Sequence, residues 1–122
     1  TNFYGDLLSK KHKSFSGFII DNVKRRKKIE VPNNIYFNPI HVKILIKYLD
    51  LIIKKKINGT YNIGSENVTS KYDFAVKICK MKRITSEFVM PFKSIYNKDK
   101  RPLNTSTNIK KFENKLKNLN LI

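Results

Sequence analysis

The chain has 122 residues, with 26 Lys and Arg against 9 Asp and Glu, for a net charge of +17. It is one domain or less, and the charge by itself points to a polyanion: nucleic acid, a membrane surface or a phosphorylated substrate. Cys79 is the only cysteine, which excludes an intrachain disulfide and a cysteine-based metal site, and no apolar run approaches the roughly 18 residues of a membrane span.

Thr1-Asn2-Phe3-Tyr4-Gly5 reads as the end of a strand. Such a strand needs neighbours, so the expectation is a natural protein that continues upstream, of which this is the C-terminal piece. Asp6 to Lys13 is polar and reads as a loop. Phe15, Phe18, Ile19 and Val23 recur at helical spacing behind Ser14, a suitable N-cap. The basic run Lys24 to Lys28 suits the negative end of that helix's dipole. Ile29 and Val31 make a short extended piece, Pro32-Asn33-Asn34 a turn, and Ile35-Tyr36-Phe37 a second strand.

Asn38 and Pro39 have the chemistry of an N-cap and a first helical position, so the longest helix is expected to open there. Val42, Leu45, Leu49 and Ile52 form its apolar stripe, widened by Ile46 and Ile53. It runs out in Lys54-Lys55-Lys56. Asn58-Gly59 is a turn pair, and Thr60, Tyr61 and Ile63 are strand formers ahead of Gly64-Ser65. After a polar loop, Ser70 and Asp73 form a capping box for a helix with Phe74, Ala75, Ile78 and Met81 on one face. Cys79 on that helix reads as a buried thiol. Phe88-Val89-Met90 is a strand stopped by Pro91, and Phe92 to Lys100 a loop. Arg101-Pro102-Leu103-Asn104 is extended, because proline pushes its predecessor out of the helical region. Asn108 caps a last helix with Ile109, Phe112, Leu116 and Leu119 inward.

Catalytic constellations are mostly missing. His12 lies in a basic loop and His41 between Ile40 and Val42; both read as packed or solvated histidines. There is no Gly-rich phosphate loop and no G-x-S-x-G. Asp50, Asp73 and Asp99 show no pairing that spacing can reveal. The lysines spread along the whole chain and read as a solvated surface. The alternative is a small basic nucleic-acid-binding domain. The aromatics argue against it, since they fall at core spacing and are not interleaved with the basic residues as a stacking platform.

Four segments resemble extended short-chain dehydrogenase/reductases, the NAD-dependent epimerase/dehydratase superfamily, and within it the dTDP-4-dehydrorhamnose reductase type. Asn2-Phe3-Tyr4-Gly5 is similar to the family's N-x-Y-G strand ending. Phe37 to Val42 resembles the D-x-I-H-V-x-D-L-A helix entry, with Ile44 where the motif carries an acid. Phe37 stands where the epimerase branch often has arginine, which weakens an epimerase assignment. Asn58 to Met81 is the third segment. Arg101 to Phe112, similar to the R-P-x-x-S-x-L-D-x-x-K tail of the rhamnose-type reductases, is the most specific.

The resemblance implies an α/β fold: the C-terminal part of a Rossmann-type NAD(P)-binding fold with its small substrate-binding lobe, over residues 1–122. It implies a nucleotide-sugar substrate, keto-sugar reduction or epimerisation, and a place in polysaccharide biosynthesis. It assigns substrate contacts to Asn2, which in relatives lies close to the nucleotide-sugar, and to Arg101, whose guanidinium would meet the pyrophosphate. NAD or NADP would be bound mainly by an N-terminal half of the same enzyme that this chain lacks. The catalytic Tyr-x-x-x-Lys pair would lie there too. Tyr96 and Lys100 have its spacing, but in the wrong part of the family pattern. The fragment alone is expected to be inactive, cytoplasmic and bound neither to membrane nor to nucleic acid. A third reading is a scaffold subunit that keeps the lobe without catalysis.

Overall fold

The structure, a computed structural model, describes residues 2–5, 14–95 and 102–122. The expected loop from Asp6 to Lys13, the Tyr96–Lys100 pair and Arg101 lie outside these residues. In chain order the elements are β1 (Phe3–Tyr4), α1 (Phe15–Lys24), β2 (Ile29–Pro32), β3 (Tyr36–Phe37) and β4 (Ile40–His41). They continue with α2 (Val42–Lys54), β5 (Thr69–Ser70), α3 (Lys71–Met81), β6 (Val89–Phe92) and α4 (Lys110–Asn118). The chain is α/β, as its alternating periodicities imply.

The strands pair two by two. β2 and β6 run parallel with Ile29 opposite Val89. Parallel strands need a long crossover, and α3 lies within this one. α1 and α3 pack together over the pair, burying Ile19, Val23, Val31, Ala75, Cys79 and Val89. The Ser14 hydroxyl accepts from the Gly17 N–H at 3.1 Å and the Ser70 hydroxyl from the Asp73 N–H at 3.0 Å, so two of the four predicted caps form as expected; at α4 Ile109 takes the cap position, and Asn108 Oδ1 accepts from the Lys110 N–H at 3.0 Å. β3 and β5 are antiparallel, with Tyr36 opposite Ser70. β1 and β4 are parallel, with Phe3 opposite Ile40. A second core gathers Ile40, Ile57, Ile63, Phe112 and Leu116 between α2 and α4.

Four expectations are corrected. The long helix does not open at Asn38-Pro39. Residues 40 and 41 are drawn into a ladder with β1, and the helix starts at Val42. His41 is its N-cap, with Nδ1 accepting from the Lys43 N–H at 3.2 Å. Thr60 to Ile63 joins no ladder, because Ile63 and Tyr61 are spent on the α2–α4 core. Pro91 lies inside β6 opposite Val31 and does not end it; a strand with a free side tolerates the missing N–H. Phe18, Ile46, Leu49, Ile53, Met81 and Leu119, expected on inward apolar stripes, are exposed.

All four helices of the described residues stop the same way without glycine. Arg26, Lys56, Arg83 and Asn120 take the left-handed conformation one residue past each C-cap. The next N–H then reaches back to the helix: Lys27 to the Asn22 carbonyl at 2.9 Å, Ile57 to Ile52 at 3.0 Å, Ile84 to Cys79 at 3.0 Å and Leu121 to Leu116 at 2.9 Å. This is the Schellman closure. In the last three, the two bonded residues also share a hydrophobic cluster. That packing holds a conformation that costs an L-residue about 1–2 kcal/mol. Lys56→Gly should therefore raise unfolding free energy by about 1 kcal/mol in urea denaturation. Lys55→Gly, at φ −91°, has no strain to relieve and should not raise it.

Candidate functional site

The site is assembled around Asn38, only 4 % exposed between β3 and β4. Its Nδ2 donates to the Ser65 carbonyl at 3.1 Å and the Thr107 carbonyl at 3.0 Å. Its Oδ1 accepts from the Thr107 N–H at 3.0 Å, and its own carbonyl from the Ser65 N–H at 3.2 Å. One side chain thus ties together three segments distant in sequence. Gly64 makes this possible, since a Cβ there would lie 2.7 Å from Asn38 Nδ2 and 3.0 Å from the Asn38 carbonyl oxygen.

Beside this clamp lies a cleft of about 290 Å³. Tyr4 and His41 supply one wall from the ends of β1 and β4. Ile44 and Tyr48 of α2 face it, and Phe112 and Glu113 of α4 close the far side. Ser65, Glu66 and Asn67 form the rim. The aromatic walls are fixed by edge contacts: Tyr48 on Phe112 at 5.2 Å, Tyr4 on His41 at 5.1 Å and Tyr4 on Phe74 at 5.0 Å. Because His41 Nδ1 accepts the Lys43 N–H, a neutral imidazole carries its proton on Nε2. Glu113 is held above the usual carboxylate range, first by a side-chain hydrogen bond with Glu66 and also by repulsion from its charge. Lys117 and Lys110 pull it partly back. The cleft thus offers rings on which an apolar sugar face can lie, with carboxyl, hydroxyl and amide groups at its rim for hydroxyls. No group of three metal-ligating side chains forms among the described residues.

Of the two substrate-binding residues expected, Asn2 is exposed, and its carbonyl accepts the Ile40 N–H at 3.0 Å. It stands two residues before Tyr4 and does not itself line the cleft. Arg101 lies outside the described residues. The segment after it is anchored on β3, with the Leu103 carbonyl accepting the Tyr36 N–H at 2.7 Å. Sequence reading passed over His41 as a ligand-facing group and missed Glu66, Glu113 and Tyr48 altogether. No spacing rule relates residue 66 to residue 113.

Several cations have structural work. Lys71 Nζ lies over the Phe15 ring at 5.4 Å, Lys111 over Tyr61 at 5.1 Å, and the Arg26 guanidinium over Phe88 at 5.5 Å. Lys54 pairs with Asp50 at 2.8 Å. Cys79 is buried, and burial pushes its thiol pKa up, so it is no nucleophile.

The family model described as RmlD substrate binding domain matches residues 4–120. No curated protein matches the chain. Among solved structures, it is similar to dTDP-4-dehydrorhamnose reductase from Bacillus anthracis str. Ames in complex with NADP, with TM-score 0.79 and 21% identity. That match covers 98% of this chain and 40% of the other. The dTDP-4-dehydrorhamnose reductase of Clostridium acetobutylicum ATCC 824 gives TM-score 0.77 at 23% identity, over 93% of this chain and 39% of the other. The dTDP-glucose 4,6-dehydratase of Bacillus anthracis in complex with NAD gives 0.70 at 18% identity, over 95% and 36%. The chain therefore spans about 40% of the length of the reductase it resembles.

Two substitutions check this site. Asn38→Ala orphans the part-buried Thr107 N–H and two carbonyls, and should cost about 3 kcal/mol of unfolding free energy in urea. A raised carboxyl pKa means that the folded state prefers the proton. Glu113 thus contributes stability below the ordinary value of 4.5 and loses it as pH rises through the raised one. Glu113→Gln should raise the thermal midpoint at neutral pH, with the gain vanishing on acidification below the carboxylate range. A gain independent of pH would show that the Glu66 contact is not its source.

Proposed function

Because the chain belongs to the RmlD substrate binding domain family, we propose that it is the substrate-binding portion of a nicotinamide-dependent oxidoreductase acting on a nucleotide-sugar, by reduction of a keto-sugar of the dTDP-4-dehydrorhamnose type. The observation that carries this reading is the family match over residues 4–120, nearly the whole chain. The cleft supports it with aromatic walls and a rim of hydrogen-bonding groups, features that suit a pyranose. The reductase reading is preferred to an epimerase because Phe37 replaces the epimerase arginine. The chain forms part of the C-terminal half of an extended short-chain dehydrogenase, works in the cytoplasm and serves polysaccharide biosynthesis.

Cofactor chemistry is assigned elsewhere. The chain has no Gly-rich strand–loop–helix turn to cradle a pyrophosphate, so its residues do not fit a dinucleotide. NAD or NADP is held by a dinucleotide-binding part outside these residues, and this portion alone is inactive. Its own task is to bind and orient the nucleotide-sugar. Arg101 pairs two pyrophosphate oxygens through its planar donors. Asn2 reaches the sugar from the β1 side of the cleft. The net charge of +17 draws in an anionic substrate.

Calorimetric titration of the chain with dTDP-rhamnose tests this. Binding should be weakened roughly ten- to a hundred-fold by Arg101→Ala, the value of one charge-assisted hydrogen bond, with little change in thermal midpoint. If no dTDP-sugar binds, while random duplex DNA does so at physiological salt, the nucleic-acid alternative replaces this reading.

A further inference from the structure

The cleft combines two chemistries that a neutral sugar does not use together. Tyr4, Tyr48 and Phe112 give it aromatic walls, and Glu66 and Glu113 place two carboxyl groups on it from distant segments. Glu66 follows Ser65, which the Asn38 clamp holds, and Glu113 sits in the first turn of α4. The two side chains stand within hydrogen-bonding reach of each other. Carboxylates that close repel unless a proton or a cation lies between them. The hydrogen bond with Glu66 comes first among the causes that raise the Glu113 pKa, and repulsion adds to it. Lys117 and Lys110 oppose this by charge without cancelling it. Lys111, also on α4, is engaged elsewhere: its Nζ donates to the Thr60 carbonyl at 2.9 Å and lies over the Tyr61 ring. The other titratable groups on the cleft are His41, Tyr4 and Tyr48.

We propose that this cleft selects a nucleotide-sugar whose ring carries a basic amino group, with the ammonium seated between Glu66 and Glu113 and beside the rings of Tyr48 and Phe112. This rests on the function proposed above and narrows its substrate. A protonated amine has three donors, enough to serve both carboxylates at once, and it supplies the positive charge that relieves their repulsion. An aromatic face attracts a cation and also accepts the apolar face of a pyranose, so the walls suit both parts of such a ligand. A hydroxyl in the same place donates one hydrogen bond and leaves the two carboxyls in conflict. The charge of the chain fits the ligand as a whole. The excess of +17 attracts the pyrophosphate, while the carboxyl pair takes the amine. A free polyamine would meet the second feature and be repelled by the first.

The test titrates the chain at neutral pH with dTDP-3-amino-3,6-dideoxyglucose and with dTDP-6-deoxyglucose, which differ only in an ammonium for a hydroxyl. The amino form should bind about tenfold more tightly or better, the effect of one hydrogen bond to a charged group. Glu66→Gln and Glu113→Gln should each shrink that ratio, and the double variant should bring it to about one, whatever happens to the absolute affinities. The bound amine should also bring the Glu113 carboxyl pKa, read from its carbon NMR shift, down toward the ordinary value of 4.5, and the hydroxyl form should leave it raised. Equal affinity for the two sugars, a preference that survives the double variant, or a Glu113 titration unmoved by the amine overturns the proposal and leaves the sugar reading standing. Putrescine binding as tightly as the amino sugar, with no binding of dTDP-6-deoxyglucose, makes this an amine site without a nucleotide and overturns both readings. If neither sugar binds, the function proposed above falls, and this inference with it.

Discussion

The buried amide of Asn38 is the constraint on which the rest depends. A side-chain amide has two donors and an acceptor, and burial makes each expensive to leave unpaired. Asn38 meets this by bonding the loop at Ser65 and the tail at Thr107. The two bonded segments then fix the cleft: one carries its rim, and the other leads into α4, which closes its far side. Gly64 is bound to the same requirement, because the amide occupies the space a Cβ would need. Packing alone would leave these loops free to slide over the α2–α4 core. Directional hydrogen bonds remove that freedom.

Among the described residues, part of the positive charge has structural roles. An excess of cations at +17 reads first as a polyanion-binding surface. In the fold, basic residues close helices at Arg26, Lys56 and Arg83, and Lys71 lies against the rings of Phe15 and Phe37. Cations at helix C-termini interact favourably with the backbone dipoles there, and long basic side chains cover apolar surface with their stems. Among the described residues, these roles place cations at several helix ends and over several rings. The cleft itself carries a carboxyl pair, Glu66 and Glu113, with Lys110 and Lys117 close enough to act on Glu113.

The molecule has two kinds of surface, and they differ in how finished they are. Around β2, β6, α1 and α3 the layers close on each other, and Ile19, Ala75 and Cys79 are completely sealed. Around β1, β4 and α2 they do not, and α2 buries no residue fully. Both regions follow the same rule of apolar faces meeting apolar faces. In the second, apolar side chains such as Phe3, Ile46 and Ile53 stay exposed.

Helix content, two serine caps, the buried thiol and the α/β class were legible in the sequence, because each depends on interactions within a few residues. Ser14 and Ser70 cap whatever follows them, and periodicity marked Ile19, Val23, Phe74 and Ile78 as inward. The family, too, was legible in short motifs, and the match over residues 4–120 agrees with them. Tertiary structure decided the rest. Asn38 has every local credential of an N-cap, yet β1 claims residues 40 and 41 for a ladder, which shifts the cap to His41 and frees Asn38 for its clamp. Thr60 to Ile63 has strand chemistry but no neighbouring edge to pair with. Glu66 meets Glu113, and Tyr48 meets Phe112, only because α4 folds back over α2. Contacts across such distances depend on chain topology, and residue type and spacing carry no term for it.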